Sequence, residues 1–483
     1  MNSSLSLPKR IGLFLGPGLA AFMILLGVPE GLTFAGWGTA ALLAWMAVWW
    51  ATEPIPIPVT SLLPLIVLPL FDAGSPKQIG SGYADHIVLL LLGGFIVALS
   101  IERWNLHKRI ALTVVSAVGA SPRSLVAGFM IATALLSMWI SNTATTLMMV
   151  PIALSAAAAL KDESGRFVTA LLLGVCYAAS IGGVGTPIGT PTNLIAIDWL
   201  QNNAEASISF VEWMSFGIPA VLLLIPAAWW SVTRGIGAIG NSDGAVEDVR
   251  RQKSALGKMT VPEQRVAIVF AVVALLWISR RWTVQGFDAM GWDTLSQYSG
   301  AQVDMMIAMF GALLVFLVPA GGGQSRALLS WNEAVKLPWG VLLLFGGGIA
   351  LGRAVRDTGL SAWIGTNLEP LAVLPPIVFI ALVVALVIFL TELTSNVATM
   401  TTLAPILGAL SVAIGAAPAS LLAPAAVAAS CAFMLPVATA PNAIIYATDE
   451  IPIGKMISRG LRVNLIGIVV ITAIGFWLAP LVL

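Results

Sequence analysis

Ser141-Asn142-Thr143-Ala144-Thr145 interrupts a run of apolar residues, and Ser395-Asn396-Val397-Ala398-Thr399 interrupts another in nearly the same order, 254 positions later (395 − 141). An amide or hydroxyl without a partner in hydrocarbon costs about 2–7 kcal/mol. A polar run kept twice inside apolar sequence therefore reads as a place where a polar solute binds. Outward from the first motif, Ser137-Met138-Trp139-Ile140 closes one apolar arm and Asn142 opens the next. A re-entrant helical hairpin with its tip near the middle of a bilayer accounts for that order. Serine and asparagine are favourable N-caps, so the second arm begins at Ser141 or Asn142 with its free N–H groups aimed at the tip. The last carbonyls of the first arm converge on the same point. Such a tip offers partial negative charge to a cation and partial positive charge to an anion.

The rest of the chain fits a membrane setting. Its 483 residues are 58% hydrophobic and 10% charged, against about 25% charged in soluble domains, and the mean hydropathy is +0.94. Apolar segments cover roughly 11–28, 31–50, 56–71, 85–101, 124–158, 167–200, 214–233, 264–280, 303–319, 339–353, 376–414, 420–447 and 461–482. This is an all-α polytopic integral membrane protein. A net charge of +1 leaves no electrostatic footprint for nucleic acid. Cys176 and Cys431 each sit in apolar sequence and read as buried thiols behaving as small hydrophobes. His86 and His107 join no metal-ligand pattern. Lys9-Arg10 ahead of Ile11 to Val28 has the look of a signal peptide, but no small-residue cleavage site follows; we read a retained first helix with its basic flank in the cytoplasm.

Landmarks recur in order. Leu90-Leu91-Leu92-Gly93-Gly94 matches Leu343-Leu344-Phe345-Gly346-Gly347 at an offset of 253 (346 − 93), and Thr190-Pro191-Thr192-Asn193 matches Thr439-Ala440-Pro441-Asn442 at 249 (442 − 193). With the Ser-Asn motifs these point to duplication of about half the chain. Two pairs of broken apolar segments in corresponding places are the mark of a secondary transporter built from repeats. Residues 1–234 form the first half, with a hairpin tip at 141–143; residues 264–483 form the second, with a tip at 395–397. The basic stretch 235–263 between them reads as a cytoplasmic linker. Six crossings before it and five after would leave the second repeat inverted and the C-terminus outside.

Each hairpin is followed by a loop suited to ion ligation. In Gly182-Gly183-Val184-Gly185-Thr186-Pro187-Ile188-Gly189-Thr190-Pro191-Thr192-Asn193, glycines let carbonyls approach an ion, and prolines free further carbonyls from helical bonding. Hard oxygen ligands of this kind suit sodium. Thr391, Thr394, Ser395 and Asn396 stand in the same relation to Ala438-Thr439-Ala440-Pro441-Asn442.

On both Ser-Asn motifs, both Pro/Asn loops and Ala51-Thr52-Glu53-Pro54-Ile55-Pro56, the chain resembles the divalent anion–sodium symporters, the INDY-type di- and tricarboxylate transporters, over most of its length. The resemblance implies about 11 transmembrane helices plus two re-entrant hairpins in an inverted repeat. It also implies a homodimer, each protomer having a scaffold domain and an elevator-type transport domain. Carried over residue by residue, Ser137, Ser141, Asn142 and Gly189 would hold one sodium ion, and Thr391, Thr394, Asn396 and Ala438 a second. A dicarboxylate such as succinate, fumarate or malate would lie between the tips against Asn142, Thr143, Asn396 and Val397, with Thr439, Ala440 and Pro441 nearby. Val397 departs from the family, where many members have threonine. The lost hydroxyl removes or moves a hydrogen bond worth about 1.5–3 kcal/mol. Neither motif holds an arginine or lysine, so bound sodium would have to neutralise the dianion and organise the tips. By resemblance the setting is a bacterial plasma membrane.

Competing readings stay open. Serine, threonine and asparagine within spans also serve as packing glue between helices. Glu392, beside the second tip, is either a proton or cation ligand or a partner in packing. Glu53 reads as structural, Asp198 and Asp449 as interfacial, and Trp49, Trp50, Trp229 and Trp230 as parts of aromatic belts. Sulfate or citrate carriage and dicarboxylate exchange fit the same fold, although an exchanger should carry fixed cations in the motifs. A channel predicts a continuous polar stripe, and an intramembrane enzyme an acid pair, metal site or nucleophile–base pair; the sequence offers neither.

Overall fold

Polar interruptions and N-capping side chains cut the apolar sequence into helices. The computed structural model describes residues 7–118, 121–160, 162, 164–203, 208–236, 243–322, 324–368 and 374–483. The main helices of the first half are α1 (Leu7–Leu25), α2 (Phe34–Thr52), α3 (His86–Arg103), α4 (Leu106–Ala117), α5 (Pro122–Ser137), α6 (Asn142–Leu160), α7 (Arg166–Gly183), α8 (Pro191–Asn203) and α9 (Phe210–Thr233). There follow α10 (Asp243–Ala255), α11 (Val261–Ile278), α12 (Gly300–Leu317), α13 (Trp339–Asp357), α14 (Leu360–Leu368), α15 (Pro376–Thr391), α16 (Asn396–Ala413), α17 (Ala419–Ala429), α18 (Ala440–Tyr446) and α19 (Ile453–Trp477). Among the described residues, ten helices are long and apolar enough to cross a bilayer. Four of the expected segments are split where polar residues interrupt them: α5 from α6, α7 from α8, α15 from α16, and α17 from α18.

Capping explains several starts. Ser209 accepts from Glu212 N to begin α9, Thr260 from Glu263 N to begin α11, and Ser299 from Gln302 N to begin α12, each with the reciprocal side-chain bond. At the end of α2, Glu53 takes a left-handed φ of 47° and donates its N–H to Trp49 O, which fits its structural reading.

Two helices are buried on every side over most of their length: α7 from Ala170 to Gly183, and all of α17. A helix apolar all round belongs in a protein centre. Around them pack α5, α6, α8 and α9 from the first half and α15, α16 and α19 from the second. A smaller apolar cluster joins α2, the short helix Pro64–Leu70 and α13, and it takes in Ala398 with Val397 at its margin.

Three sequence readings need correction. The 235–263 stretch is more than a linker, because α10 packs on α4 and α6 with Ala245, Val246 and Val249 buried. Those residues form one narrow stripe within a charged segment, too thin to dominate its composition. The all-α expectation holds, with one small antiparallel hairpin, β1 (Pro319–Gly321) with β2 (Gln324–Ala327), among the helices. Trp50 is no belt residue: it is 1% exposed and donates to Ser61 Oγ at 3.2 Å. Cys176 is buried as expected but acts as a donor, not only as a small hydrophobe, because a polar acceptor, Asn442 Oδ1, stands beside it.

The α10 contact is fastened by Asp248, which accepts from Ser155 Oγ of α6 at 2.8 Å and from Gln252 Nε2 at 2.7 Å. Burial pushes the Asp248 carboxyl up, but hydrogen bonds from Ser155, Gln252 and Arg251 outweigh it and hold the group below the usual carboxylate range. A folded-state pKa below the unfolded value gives stability that is present above the unfolded pKa and lost as pH falls through the folded one. Asp248→Asn should therefore lower stability at pH 7 by about 1 kcal/mol. In thermal unfolding, its deficit relative to the parent should close as the pH is taken below about 4.

Candidate functional site

The first tip is built by the end of α5, the start of α6 and a carbonyl of α7. Ser141 caps α6 by accepting from Ala144 N at 3.3 Å. The Ser137 hydroxyl oxygen lies 2.7 Å from Asn142 Oδ1 and 2.7 Å from Ala179 O. A hydroxyl has one proton and can serve only one of these acceptors at a time. Three oxygens thus converge with a single proton between them, an arrangement that a cation relieves.

Glycines let the neighbouring loop close on this point. A Cβ on Gly183 would lie 2.6 Å from Asn142 Oδ1, and one on Gly189 only 2.4 Å from Gly183 O. Asn193, at the start of α8, gathers the loop by donating its amide to Gly183 O at 3.0 Å and Thr186 O at 2.8 Å. Thr186 in turn donates to Met138 O.

The second tip repeats the bonds. Thr391 Oγ1 lies 2.8 Å from Asn396 Oδ1 and 2.9 Å from Ala429 O. Asn442 donates to Ala432 O at 2.9 Å and to Leu435 O at 2.8 Å. The related residues are separated by 254 (391 − 137 and 396 − 142), 250 (429 − 179) and 249 (442 − 193, 432 − 183 and 435 − 186) positions.

The second loop lacks glycine between 430 and 439, and Ala432 and Ala438 stand where the first has Gly183 and Gly189. It is held instead by Glu392. This carboxylate is 3% exposed and accepts from Phe433 N at 2.8 Å, Met434 N at 2.9 Å, Leu435 N at 3.1 Å and Asn464 Nδ2 at 2.7 Å. Four donors occupy it, and it acts as a clasp for the loop.

Of the residues singled out in the sequence, Ser137 joins Asn142, and Thr391 joins Asn396, in the two oxygen clusters. Gly189 lies against Gly183. The Thr394 hydroxyl bonds Leu390 O at 3.0 Å and Thr399 Oγ1 at 2.6 Å, away from the Thr391–Asn396 cluster. Thr439 caps α18, accepting from Asn442 N at 3.4 Å. Thr143 and Val397 are half-buried beside their tips, Ala438 and Pro441 are buried, and Ala440 is exposed. Asp198 bonds Asn202 Nδ2 on its own helix at 2.6 Å. Sequence reasoning missed the carbonyls of Ala179 and Ala429 and the clasp through Asn464. Asn193 and Asn442 were visible only as landmarks, though asparagine after a broken helix is a signal for loop anchoring.

A family pattern described as the sodium:sulfate symporter transmembrane region matches residues 11–483. The chain is 42% identical to the sodium-dependent dicarboxylate transporter SdcS of Staphylococcus saprophyticus over 495 aligned positions, covering 100% of this chain and 93% of the relative. It is 40% identical to SdcS of Staphylococcus aureus strain MRSA252, covering 98% and 92%. Among solved structures, the YdaH transporter of Alcanivorax borkumensis aligns with a TM-score of 0.60 at 16% identity, covering 91% of this chain and 96% of that one. MtrF of Neisseria gonorrhoeae aligns at 0.63 and 15%, covering 99% and 96%. These two establish likeness of fold alone.

The close approach of Gly189 to Gly183 gives a sharp test. Gly189→Ala should abolish stabilisation of the purified protein by sodium in thermal unfolding. Gly454→Ala, where no atom lies within 4 Å of the added carbon, should keep it.

Proposed function

The chain belongs to the sodium:sulfate symporter transmembrane family, and from that membership we propose that it carries C4-dicarboxylates such as succinate, fumarate or malate together with sodium. It is a secondary transporter and not an enzyme. The observation that supports this reading most is the doubled oxygen cluster, Ser137–Asn142–Ala179 and Thr391–Asn396–Ala429. Each has hard oxygen donors, too few protons to satisfy them, and no lysine or arginine in the adjoining motif.

In this reading the sodium ions are cargo. One takes Ser137, Asn142 and the carbonyls near Gly189, with Ser141 alongside. The other takes Thr391, Asn396 and carbonyls at Thr394 and Ala438. The dianion lies between the starts of α6 and α16, whose free N–H groups favour negative charge. It meets Asn142, Thr143 and Asn396, with Val397 and the Thr439–Pro441 corner bounding the site. At about 4 Å and an effective dielectric of about 20, each sodium–carboxylate pair is worth about 4 kcal/mol. Two sodium ions therefore replace the fixed cations that the motifs lack. Sodium binds first and closes the loops, and the dianion follows.

The same proposal makes α5–α9 and α15–α19 a moving body, with α1–α3 and α11–α13 as scaffold. Mutual packing of both hairpins around α7 and α17 supports such a body, and the repeated bonds support an inverted repeat. We place the protein in a bacterial plasma membrane as a homodimer with its N-terminus in the cytoplasm.

Uptake of labelled succinate into proteoliposomes tests this directly. An inward sodium gradient should drive accumulation and a potassium gradient should not. Asn142→Ala and Asn396→Ala should each reduce the initial rate at least about tenfold, a loss of about 1.4 kcal/mol. Sodium-independent uptake that requires internal dicarboxylate would replace symport with exchange. Failure with succinate in both modes would redirect the assay to sulfate and citrate.

A further inference from the structure

Each ligand loop is packed against the buried helix of the opposite half: α8 lies on α17, and α18 lies on α7. Related positions line these two contacts. On α7 they are Cys176 and Ser180, and 250 positions later on α17 and just beyond it they are Ala426 and Ser430 (426 − 176 and 430 − 180). Facing them are Thr192 and Asn193 on α8, and 249 positions later Pro441 and Asn442 on α18 (441 − 192 and 442 − 193).

The two contacts are fastened at different positions. Cys176 Sγ donates to Asn442 Oδ1 at 2.9 Å. In the related pair Ala426 has no donor, and among the described residues Asn193 Oδ1 is buried without a partner. The Thr192 and Ser430 hydroxyls bond at 2.8 Å. In that related pair Pro441 has no hydroxyl, and Ser180 Oγ is buried without a partner. At these positions each loop has one side-chain tie to the other half, and the two ties are not equivalent.

Both ties reach the oxygen clusters. α7 supplies Ala179 O to the first cluster, and Cys176 on the same helix steers Asn442, which gathers the second loop. With a thiol proton on one side and two carbonyls on the other, only one flip of the Asn442 amide satisfies all partners. On the other side, α17 ends at Ala429, whose carbonyl belongs to the second cluster. The next residue, Ser430, holds Thr192 beside Asn193, which gathers the first loop.

We propose that the Cys176–Asn442 and Thr192–Ser430 bonds couple the two cation sites, so that a sodium ion ordering one loop orders the other. Cys176 is a positioning residue for the second site. The inference rests on the two-cation reading above. Coupling of this kind is a free energy carried by a bonded network with two arrangements, loop ordered and loop loose.

Sodium titration of the purified full-length protein, followed by thermal stabilisation, tests it. The unmodified protein should bind with a Hill coefficient well above one. Cys176→Ala and Thr192→Val should each raise the half-saturating sodium concentration about two- to fivefold and lower the coefficient, and the double variant should bring it to about one. Cys176→Ser and Thr192→Ser, which keep a donor, should follow the unmodified curve. An unchanged coefficient in the double variant overturns the proposal. So does equal impairment in the alanine and serine variants of Cys176, which makes the thiol a packing group. Sodium stabilisation without cooperativity in the unmodified protein overturns the coupling and leaves sodium transport standing. No sodium effect at all removes the two-cation reading and this inference with it.

Discussion

One hydroxyl proton shared among three oxygens is the constraint around which this protein is arranged. At Ser137 and again at Thr391, a side-chain amide and a main-chain carbonyl compete for the same donor. In water such competition is trivial, because solvent supplies further donors. Inside a bilayer solvent donors are scarce, and a monovalent cation with hard-oxygen preference would meet the shortage in the reading proposed above. The ends of α5 and α15, the starts of α6 and α16, and the carbonyls of Ala179 on α7 and Ala429 on α17 all bring oxygens to these two points.

The halves meet the same demand by unlike means. The first loop approaches its cluster because Gly182, Gly183 and Gly189 carry no side chain, and the Asn193 amide gathers its carbonyls. The second has alanines at two of those places and leaves N–H groups at Phe433, Met434 and Leu435, which the Glu392 carboxylate collects. One half uses the absence of atoms and the other a buried charge. Burying a carboxylate is costly, and four donors offset that cost. Two oxygen clusters alike in their bonds are thus flanked by loops held in different ways.

Much of this was legible in the sequence, for identifiable reasons. The Ser-Asn motifs stood out because polarity is rare in this chain, and the splits at α5/α6, α7/α8, α15/α16 and α17/α18 fall where the polar residues put them. The carbonyls of Ala179 and Ala429 in the two clusters were invisible, since a carbonyl is present at every residue and nothing in the side chain announces its use. The Glu392 clasp was equally hidden, because three of its four donors are main-chain groups 41 to 43 positions away (433 − 392 and 435 − 392) and the fourth is the Asn464 amide, 72 away (464 − 392). The α10 helix was missed because Ala245, Val246 and Val249 are too few to outweigh their charged neighbours. Val397 looked like a lost substrate contact; its packing at the edge of the cluster from α2 and α13 gives valine an apolar seat as well.

The glycine loop also governs how the gene tolerates change. A single substitution at Gly182, Gly183 or Gly189 adds a carbon within 2.4 to 2.6 Å of an oxygen in the packed centre, and no rotamer can remove a Cβ. In the second half Ala432 and Ala438 already carry that carbon at the places of Gly183 and Gly189, and the loop is held by Glu392 and Asn442, with Gly460 against Phe433 O. Sensitive positions of the first half should therefore lie within the loop itself, at several neighbouring codons, and those of the second around its loop, at Glu392, Asn442 and Gly460. Two halves alike in their oxygen clusters are thus unlike in where they tolerate change.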